Sequence, residues 1–339
     1  MAIVLIENKE EYTRSWVKND LNFMQSWQWG EVKSPAWRAV RISINNYPVT
    51  IFTKQIPVIH KSFGYIPRAL GRLSLEDDFY EKLSNFAKNE LKLTHLIIEC
   101  DSTSDEKLNQ LLKLKWKKNG HTIQPQNTNI IDLKHGEDQV LSKMSGNYRK
   151  KIRRAVKHGC SVEVLTYPDD KDAVDRFYVF MDEIYNRTKF IMFGKTYFEK
   201  IWEEFGQVDL ASITIVKHQG QDIGSIMYIY DKNNAYELYG GTGEAGRPIM
   251  ANYLLKWEGI RHAIKLGKEN YDQWGVAPKV NDEYVSNHPL SKISQFKSGF
   301  GGVDIEYLPQ LVKVFDSNSF RLYRAGIHFN DAKLKLKKL

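Results

Sequence analysis

Residues 235–276 read AYELYGGTGEAGRPIMANYLLKWEGIRHAIKLGKENYDQWGV, and the reading of this stretch decides the fold. Tyr236, Leu238 and Tyr239 form a short aromatic run with strand character, expected to stop at Gly240–Gly241, where missing side chains let backbone approach a ligand closely. From Met250 the period changes. Met250, Tyr253, Leu254, Trp257, Ile260 and Ile264 recur at three and four residues, the apolar face of a helix that Gly267 closes. Tyr271 to Val276 then reads as a second short strand. Strand, glycine loop, helix and strand within about forty residues describe a right-handed crossover, whose ligand site lies beyond the carboxyl end of its first strand.

Upstream of this unit, Leu210 to Val216 and Ile223 to Tyr230 flank a turn at His218-Gln219-Gly220-Gln221. The first half of the chain shows the same order. Trp37 to Ile44 and Val49 to Ile56 alternate around Asn45-Asn46-Tyr47-Pro48, Phe63 to Arg68 is a strand ending in a cation, Asp77 to Leu91 is a helix, and His95 to Asp101 is a buried strand finished by a carboxylate. Two matching series predict an internal duplication and an α/β protein of two similar domains with mixed sheets flanked by helices. The domains expected are 1–134 with 307–339, and 135–306. The tail from Phe315, capped at Asp316-Ser317 and closing in KLKLKKL, is expected to pack back on the first domain.

The totals narrow the function. No run approaches the roughly eighteen apolar residues of a bilayer span, and the apolar start is too short for a secretory signal, so a cytosolic protein is expected. Cys100 and Cys160 lack CxxC spacing and the histidines form no HExxH cluster, so no metal and no cofactor are expected. The formal net charge of +8 favours an anionic partner, though only weakly. It is concentrated in one place. In MSGNYRKKIRRAVKHG, Met144, Tyr148, Ile152, Ala155 and Val156 share one helix face, while Arg149, Lys150, Lys151, Arg153, Arg154 and Lys157 crowd the other. Such a face is either a solvated surface or a landing strip for nucleic-acid phosphate or an anionic membrane.

Taken in order, SWQWGEVK, YIPRAL, NYRKKIRRAVKHG, YELYGGT with KWEGIRHA, YDQWGV and HPLSKISQFKSGFGG resemble motifs of the Fem family of peptidoglycan bridge-forming aminoacyltransferases, from about Ser26 to Gly302. The resemblance implies two GNAT-like (acyl-CoA N-acyltransferase-like) domains in tandem. It implies transfer of an amino acid from aminoacyl-tRNA to the position-three side-chain amine of a peptidoglycan precursor, lipid II or UDP-MurNAc-pentapeptide. The family's long helical hairpin has no counterpart here, which looks like the compact members that add the first residue. Phe193 stands where one compact member that uses the UDP-linked precursor has an arginine gripping the diphosphate, so lipid II is at least as good an acceptor.

By the same resemblance, Lys297 with Phe296, placed in a glycine-rich loop after the last strand of the second domain, faces the tRNA 3′ end and stabilises developing negative charge. Lys33 matches a cation on the acceptor's phosphate, Tyr197 and Tyr239 match aromatics lining the muropeptide groove, and Arg68 and Asp101 match acceptor contacts. Each has a plainer reading as a surface cation, a core aromatic or a helix cap. Aminolysis of an activated ester requires neither a metal nor a covalent nucleophile, and no GxSxG or Cys/His pair is present. Three other functions remain open. A CoA-dependent N-acyltransferase needs a Q/RxxGxG/A cradle, whereas EAGRPIMAN misplaces Gly246 and Arg247 and loses a backbone donor at Pro248. The others are an aminoacyl-tRNA–protein transferase and a non-enzymatic RNA-binding module.

Overall fold

The structure is a computed structural model describing residues 3–57, 59–71, 76–188 and 193–336, the side chains of 188 and 328–336 excepted. The run at 189–192 and the last residues of the KLKLKKL tail lie outside the described residues. In chain order the strands are β1 Ile3–Leu5, β2 Arg38–Ile44, β3 Tyr47–Ile56, β4 Lys61–Ala69, β5 His95–Cys100, β6 Lys117–Lys118, β7 Asn127–Asp132, β8 Cys160–Leu165, β9 Ala211–His218, β10 Gln221–Tyr230, β11 Asn234–Thr242, β12 Asn270–Gly275, β13 Lys279–Val280, β14 Glu283–Tyr284, β15 Val303–Glu306 and β16 Leu311–Val314. The helices are α1 Lys9–Lys18, α2 Trp27–Lys33, α3 Asp77–Asn89, α4 Asp105–Lys113, α5 Gly136–Lys143, α6 Gly146–Lys157, α7 Ala173–Thr188, α8 Lys195–Gly206, α9 Ala251–Lys265, α10 Ser291–Ser298 and α11 Ser317–Leu336.

The contacts divide the chain into one unit of Met1–Gln126 with Tyr307–Leu339, and a second of Asn127–Glu306. Each is built on a seven-stranded sheet. The first sheet runs β1-β2-β3-β4-β5-β16-β6, and the second, taken in the matching direction, runs β8-β9-β10-β11-β12-β7-β15. Both have an antiparallel hairpin, then a strand joined through a helix to a parallel neighbour, β4 to β5 and β11 to β12. The duplication read from the sequence is therefore a duplication of sheet order. The segment 127–134, assigned to the first domain on sequence, instead supplies β7 to the second sheet, where Ile131 pairs with Tyr271 and Ile130 with Val303.

Turn chemistry fixes the hairpins. Asn45 and Asn46 adopt φ of 52° and 65°, the left-handed pair of a two-residue turn that matches strand twist, so Tyr47 and Pro48 join β3 instead of the loop. Gln219 and Gly220, with φ of 50° and 79°, do the same between β9 and β10. In the first unit α11 starts behind Asp316, which accepts from the backbone N–H of Ser319 and pairs with Lys61 at 2.8 Å. Its Phe320 and Tyr323 cover the buried ring of His95. In the second unit α9 buries Tyr253, Leu254, Trp257 and Ile260 against the sheet, as its spacing predicts.

Two readings of the deciding stretch change. β11 does not stop at Gly240–Gly241 but runs on to Thr242, with Ile226 opposite Gly240 and Ser225 opposite Gly241. The close backbone is β10: a Cβ on Gly240, at φ 134°, would sit 2.2 Å from Ser225 O. On α6, Val156 is exposed, while Ile152 and Ala155 are buried as expected. Among the described residues no helix is long and apolar enough to cross a membrane, and no three His, Cys, Asp or Glu side chains gather as metal ligands.

Candidate active site

The second sheet opens between its two parallel strands. β11 and β12 pair over Asn234–Asn270, Ala235–Tyr271 and Tyr236–Asp272, and then part. A bulge at Leu238, with Glu237 opposite Tyr228 and Tyr239 opposite Met227, bends β11. On β12, Trp274 takes a left-handed φ of 62° and the register against β7 shifts. The carboxyl ends of adjacent parallel strands that part in this way form the usual ligand crevice of an open α/β sheet.

Lys297 enters that opening from α10. The residue is half-buried, and its Nζ donates to Gly275 O at 2.8 Å, at the end of β12. Gln273 Nε2 donates back to Lys297 O at 3.1 Å, which ties α10 to the strand. Burial, and then the like charge of Lys256, push the Lys297 ammonium down to about 8, with Glu237 and Asp272 pulling the other way. Phe296 packs edge-on against Tyr253 and Phe300 at 5.2 and 5.3 Å. Phe296 and Lys297 are thus on a helix, not in a glycine loop, and β15 follows them. Gly299, Gly301 and Gly302 come only after the helix has ended, so the glycine-rich composition belongs to the connection into β15.

Beneath Lys297 lies a charged cluster that sequence reasoning missed. Lys256 of α9 is 1 % exposed and donates to Glu237 Oε2 at 2.7 Å. Tyr271 OH donates to the same oxygen at 2.6 Å. Burial drives the Lys256 ammonium down and the Tyr271 phenol well up, so Lys256 depends on Glu237 to stay charged. The signal in the sequence is one charged residue in each of two apolar runs, YELY and YLLKW.

Tyr197 of α8 and Tyr239 of β11 meet, their hydroxyls 3.2 Å apart and their rings perpendicular. Burial raises both phenols, Tyr239 to about 12. Phe193, 46 % exposed, stacks on Tyr197 with ring centroids at 4.0 Å and forms an aromatic platform. The basic helix reaches the Phe296 cluster as well. Tyr148 of α6 lies 4.8 Å from Tyr253 and 6.0 Å from Phe296, and Lys151 Nζ donates to Tyr253 OH at 2.8 Å. Arg149 is turned inward to Leu141 O, while Lys150, Arg153, Arg154 and Lys157 are exposed.

The remaining sequence candidates sit in the first unit. Lys33 ends α2, a helix and not a strand or turn, because Ser26 caps it through the N–H of Trp29. Its ammonium lies over the Trp29 ring at 4.8 Å and is held at about 8 by burial and by repulsion from Lys54. Arg68 is 4 % exposed, donates to Pro125 O and stacks over Tyr307 at 4.2 Å. Asp101 accepts from the backbone N–H of Gly71 at 2.9 Å, and the cap of α4 is Ser104. Both therefore hold their own unit's backbone.

Comparison with known proteins agrees with this geometry. A profile described as an acetyltransferase (GNAT) domain matches residues 142–280. The aminoacyltransferase FemA of Staphylococcus aureus is 28% identical over 86 residues, which is 25% of this chain and 20% of FemA, so the match spans about a fifth of that relative. Among solved structures, FemX superposes with a TM-score of 0.83 at 18% identity, covering 95% of this chain and 99% of FemX. A tandem GNAT protein from the clavulanic acid biosynthesis pathway gives a TM-score of 0.53 at 12% identity, covering 92% and 98%. The tandem GNAT-like fold and the resemblance to the Fem family are borne out.

Proposed function

We propose that this chain, a tandem GNAT-like protein of the Fem type, is an aminoacyltransferase that moves an amino acid from aminoacyl-tRNA to the side-chain amine at position three of a peptidoglycan precursor. The observation that carries this reading is the Lys297 site, where a half-buried amine is tied to Gly275 O at the opening of β11 and β12. Attack of an amine on the ester carbonyl builds an oxyanion, and an amine already fixed in a poorly hydrated site and charged while the oxyanion exists stabilises it without reorganising. Phe296 and the Tyr148–Tyr253 cluster give the terminal adenosine flat surfaces to stack on. The exposed cations of α6, Lys150, Arg153, Arg154 and Lys157, adjoin that cluster and suit the tRNA backbone.

Tyr197 and Tyr239 line the acceptor side of the second unit. Lys33, its ammonium over the Trp29 ring and repelled by Lys54, suits the acceptor's phosphate. Phe193 offers a stacking face and no cation at the place considered for a diphosphate grip, which favours lipid II over the UDP-linked precursor.

A CoA donor fits poorly. The loop after β11 that would cradle a pyrophosphate has the N–H of Glu244 bound to the Glu183 carboxylate at 2.6 Å. A Cβ on Gly243 would meet that same carboxylate at 2.5 Å. Glu183, Asp222 and Glu244 line the groove there, and its one arginine, Arg176, is already paired with Glu163 and Asp222. An anion would be repelled. The test is transfer of a labelled amino acid from charged tRNA, with lipid II, UDP-MurNAc-pentapeptide or a model protein offered separately, beside an acyl-CoA control. Label on lipid II is expected. Label arriving only from acyl-CoA, or only on the model protein, overturns the reading.

A further inference from the structure

Aminolysis must move a proton as well as stabilise an oxyanion. The amine nitrogen attacks the ester carbon, the carbon–oxygen bond to the ribose breaks, and the proton leaving the nitrogen has to reach the ribose oxygen. Two ionisable side chains near the opening could carry it, Lys297 and Glu237. The geometry separates them. The hydrogen bonds to Glu237 from Lys256 Nζ at 2.7 Å and from Tyr271 OH at 2.6 Å both fall on Oε2, and Lys256 is almost fully enclosed. Lys297 hydrogen-bonds to a backbone carbonyl and, among the described residues, makes no ion pair. Resting on the transfer reading above, we propose that Lys256 is a positioning residue: by holding Glu237 to itself it leaves Lys297 bonded to a carbonyl and not to that carboxylate, so that Lys297 carries the proton from attacking amine to leaving hydroxyl.

The sequence of charges fits the chemistry. The neutral fraction of Lys297 takes the proton of the attacking nitrogen and is an ammonium while the oxyanion exists. It then gives the proton to the ribose oxygen and returns to neutral. In that cycle the positive charge forms as the negative charge does and leaves with it. The groups that set its charge come from each element around the opening. They are Lys256 from α9, Glu237 from β11 and Asp272 from β12; Tyr253 of α9 and Tyr148 and Lys151 of α6 pack about Phe296. The direction of the Lys297 shift agrees, because burial and Lys256 lower it against the pull of the two carboxylates. Removing the charge of Lys256 would return Glu237 to Lys297 and fix the proton there.

The experiment reads Lys297 directly, by competitive acetylation across pH with the peptide containing it quantified by mass spectrometry. In the wild-type protein the midpoint is expected near about 8. Lys256→Met, and Lys256→Gln as the milder change that keeps a donor to Glu237, should raise that midpoint by about one to two pH units, and Lys256→Arg should restore it. The acidic limb of the wild-type transfer rate should coincide with the wild-type midpoint and rise with it in the Lys256→Gln variant. An unmoved midpoint in both neutral variants overturns the role of Lys256. A wild-type limb that does not coincide with the midpoint overturns the proton-carrier role of Lys297. Absence of any transfer from aminoacyl-tRNA, with the midpoint shift intact, refutes the transfer reading while leaving the Lys256–Glu237 assignment standing.

Discussion

Replacing Lys297 by methionine should make the protein more stable and nearly inactive. The folded ammonium is held at about 8, while lysine in the unfolded chain titrates near its ordinary 10.5. Between those values the unfolded state binds the extra proton, so stability rises with pH across that window and the full cost of the buried charge is felt below it. At about 1.4 kcal/mol for each pH unit of separation, that cost is about 3 kcal/mol at neutral pH. Methionine removes it and keeps the volume, but gives up the bond to Gly275 O, a loss of about 1 kcal/mol. The net gain is about 2 kcal/mol at pH 7, and it should vanish or reverse near pH 11, where lysine is neutral in both states. Urea unfolding at the two pH values, followed through hydrogen exchange of peptides from β11 and α9, measures it. Transfer should fall by about 10²–10³ in the same protein. A variant less stable at pH 7, or a stability difference that does not change with pH, refutes the reasoning.

His95 makes the opposite limb. Burial holds it down at about 3, so between there and 6.5 the unfolded chain binds the extra proton and stability falls as pH drops. By pH 4 the loss is about 3 kcal/mol, and His95→Phe, in a site already stacked on Phe63, should flatten the acid limb of the melting temperature. Gly240→Ala should cost about 2 kcal/mol or more in urea unfolding, because the new methyl meets Ser225 O at 2.2 Å, whereas Gly220→Ala, with nothing within 4 Å, should cost less. Tyr239→Phe, which breaks the 3.2 Å hydroxyl contact with Tyr197, should cost about 1 kcal/mol and raise the acceptor KM more than it lowers kcat. An acceptor titration at fixed charged tRNA separates the two effects.

What could be read from the sequence was local. The α9 face, the hairpins and the parallel pair follow from periods of 3.6 and 2 and from turn residues, which depend on neighbours a few positions away. Boundaries went wrong where tertiary contact decided them. Gly240 looks like an end because glycine weakens a strand, yet it is there because β10 passes too close for a side chain. Residues 127–134 carry no mark of which sheet they join, and the choice rests on β12 and β15. Lys297 was singled out through its motif and placed in a loop, since SKISQFKS has weak helical periodicity and its glycines follow the helix. Lys256 and Glu237, 19 residues apart, meet only after β11 and α9 have packed.

The two units also show why chemistry should concentrate in the second. Each contains a parallel pair, β4 with β5 and β11 with β12; the first stays paired to its carboxyl end at Ala69 and Cys100, whereas the second parts beyond Tyr236 and Asp272. In the first, Glu99 of β5 is buried and accepts from the backbone N–H groups of Ile123 and Gln124, from Gln310, and from Tyr65 OH. Arg68, beside it, closes on Pro125 O. That carboxylate is satisfied by its own chain, so a ligand would have to displace bonds already made, each worth about 1 kcal/mol or more. At the corresponding place in the second unit two lysines share the neighbourhood of Glu237, and the ion pair formed with Lys256 leaves Lys297 on the carbonyl of Gly275. A duplicated frame whose first copy satisfies its carboxylate within its own chain and whose second leaves Lys297 on a carbonyl has in the second an opening that gains by meeting negative charge, which in the proposed transfer the ester carbonyl under attack would supply.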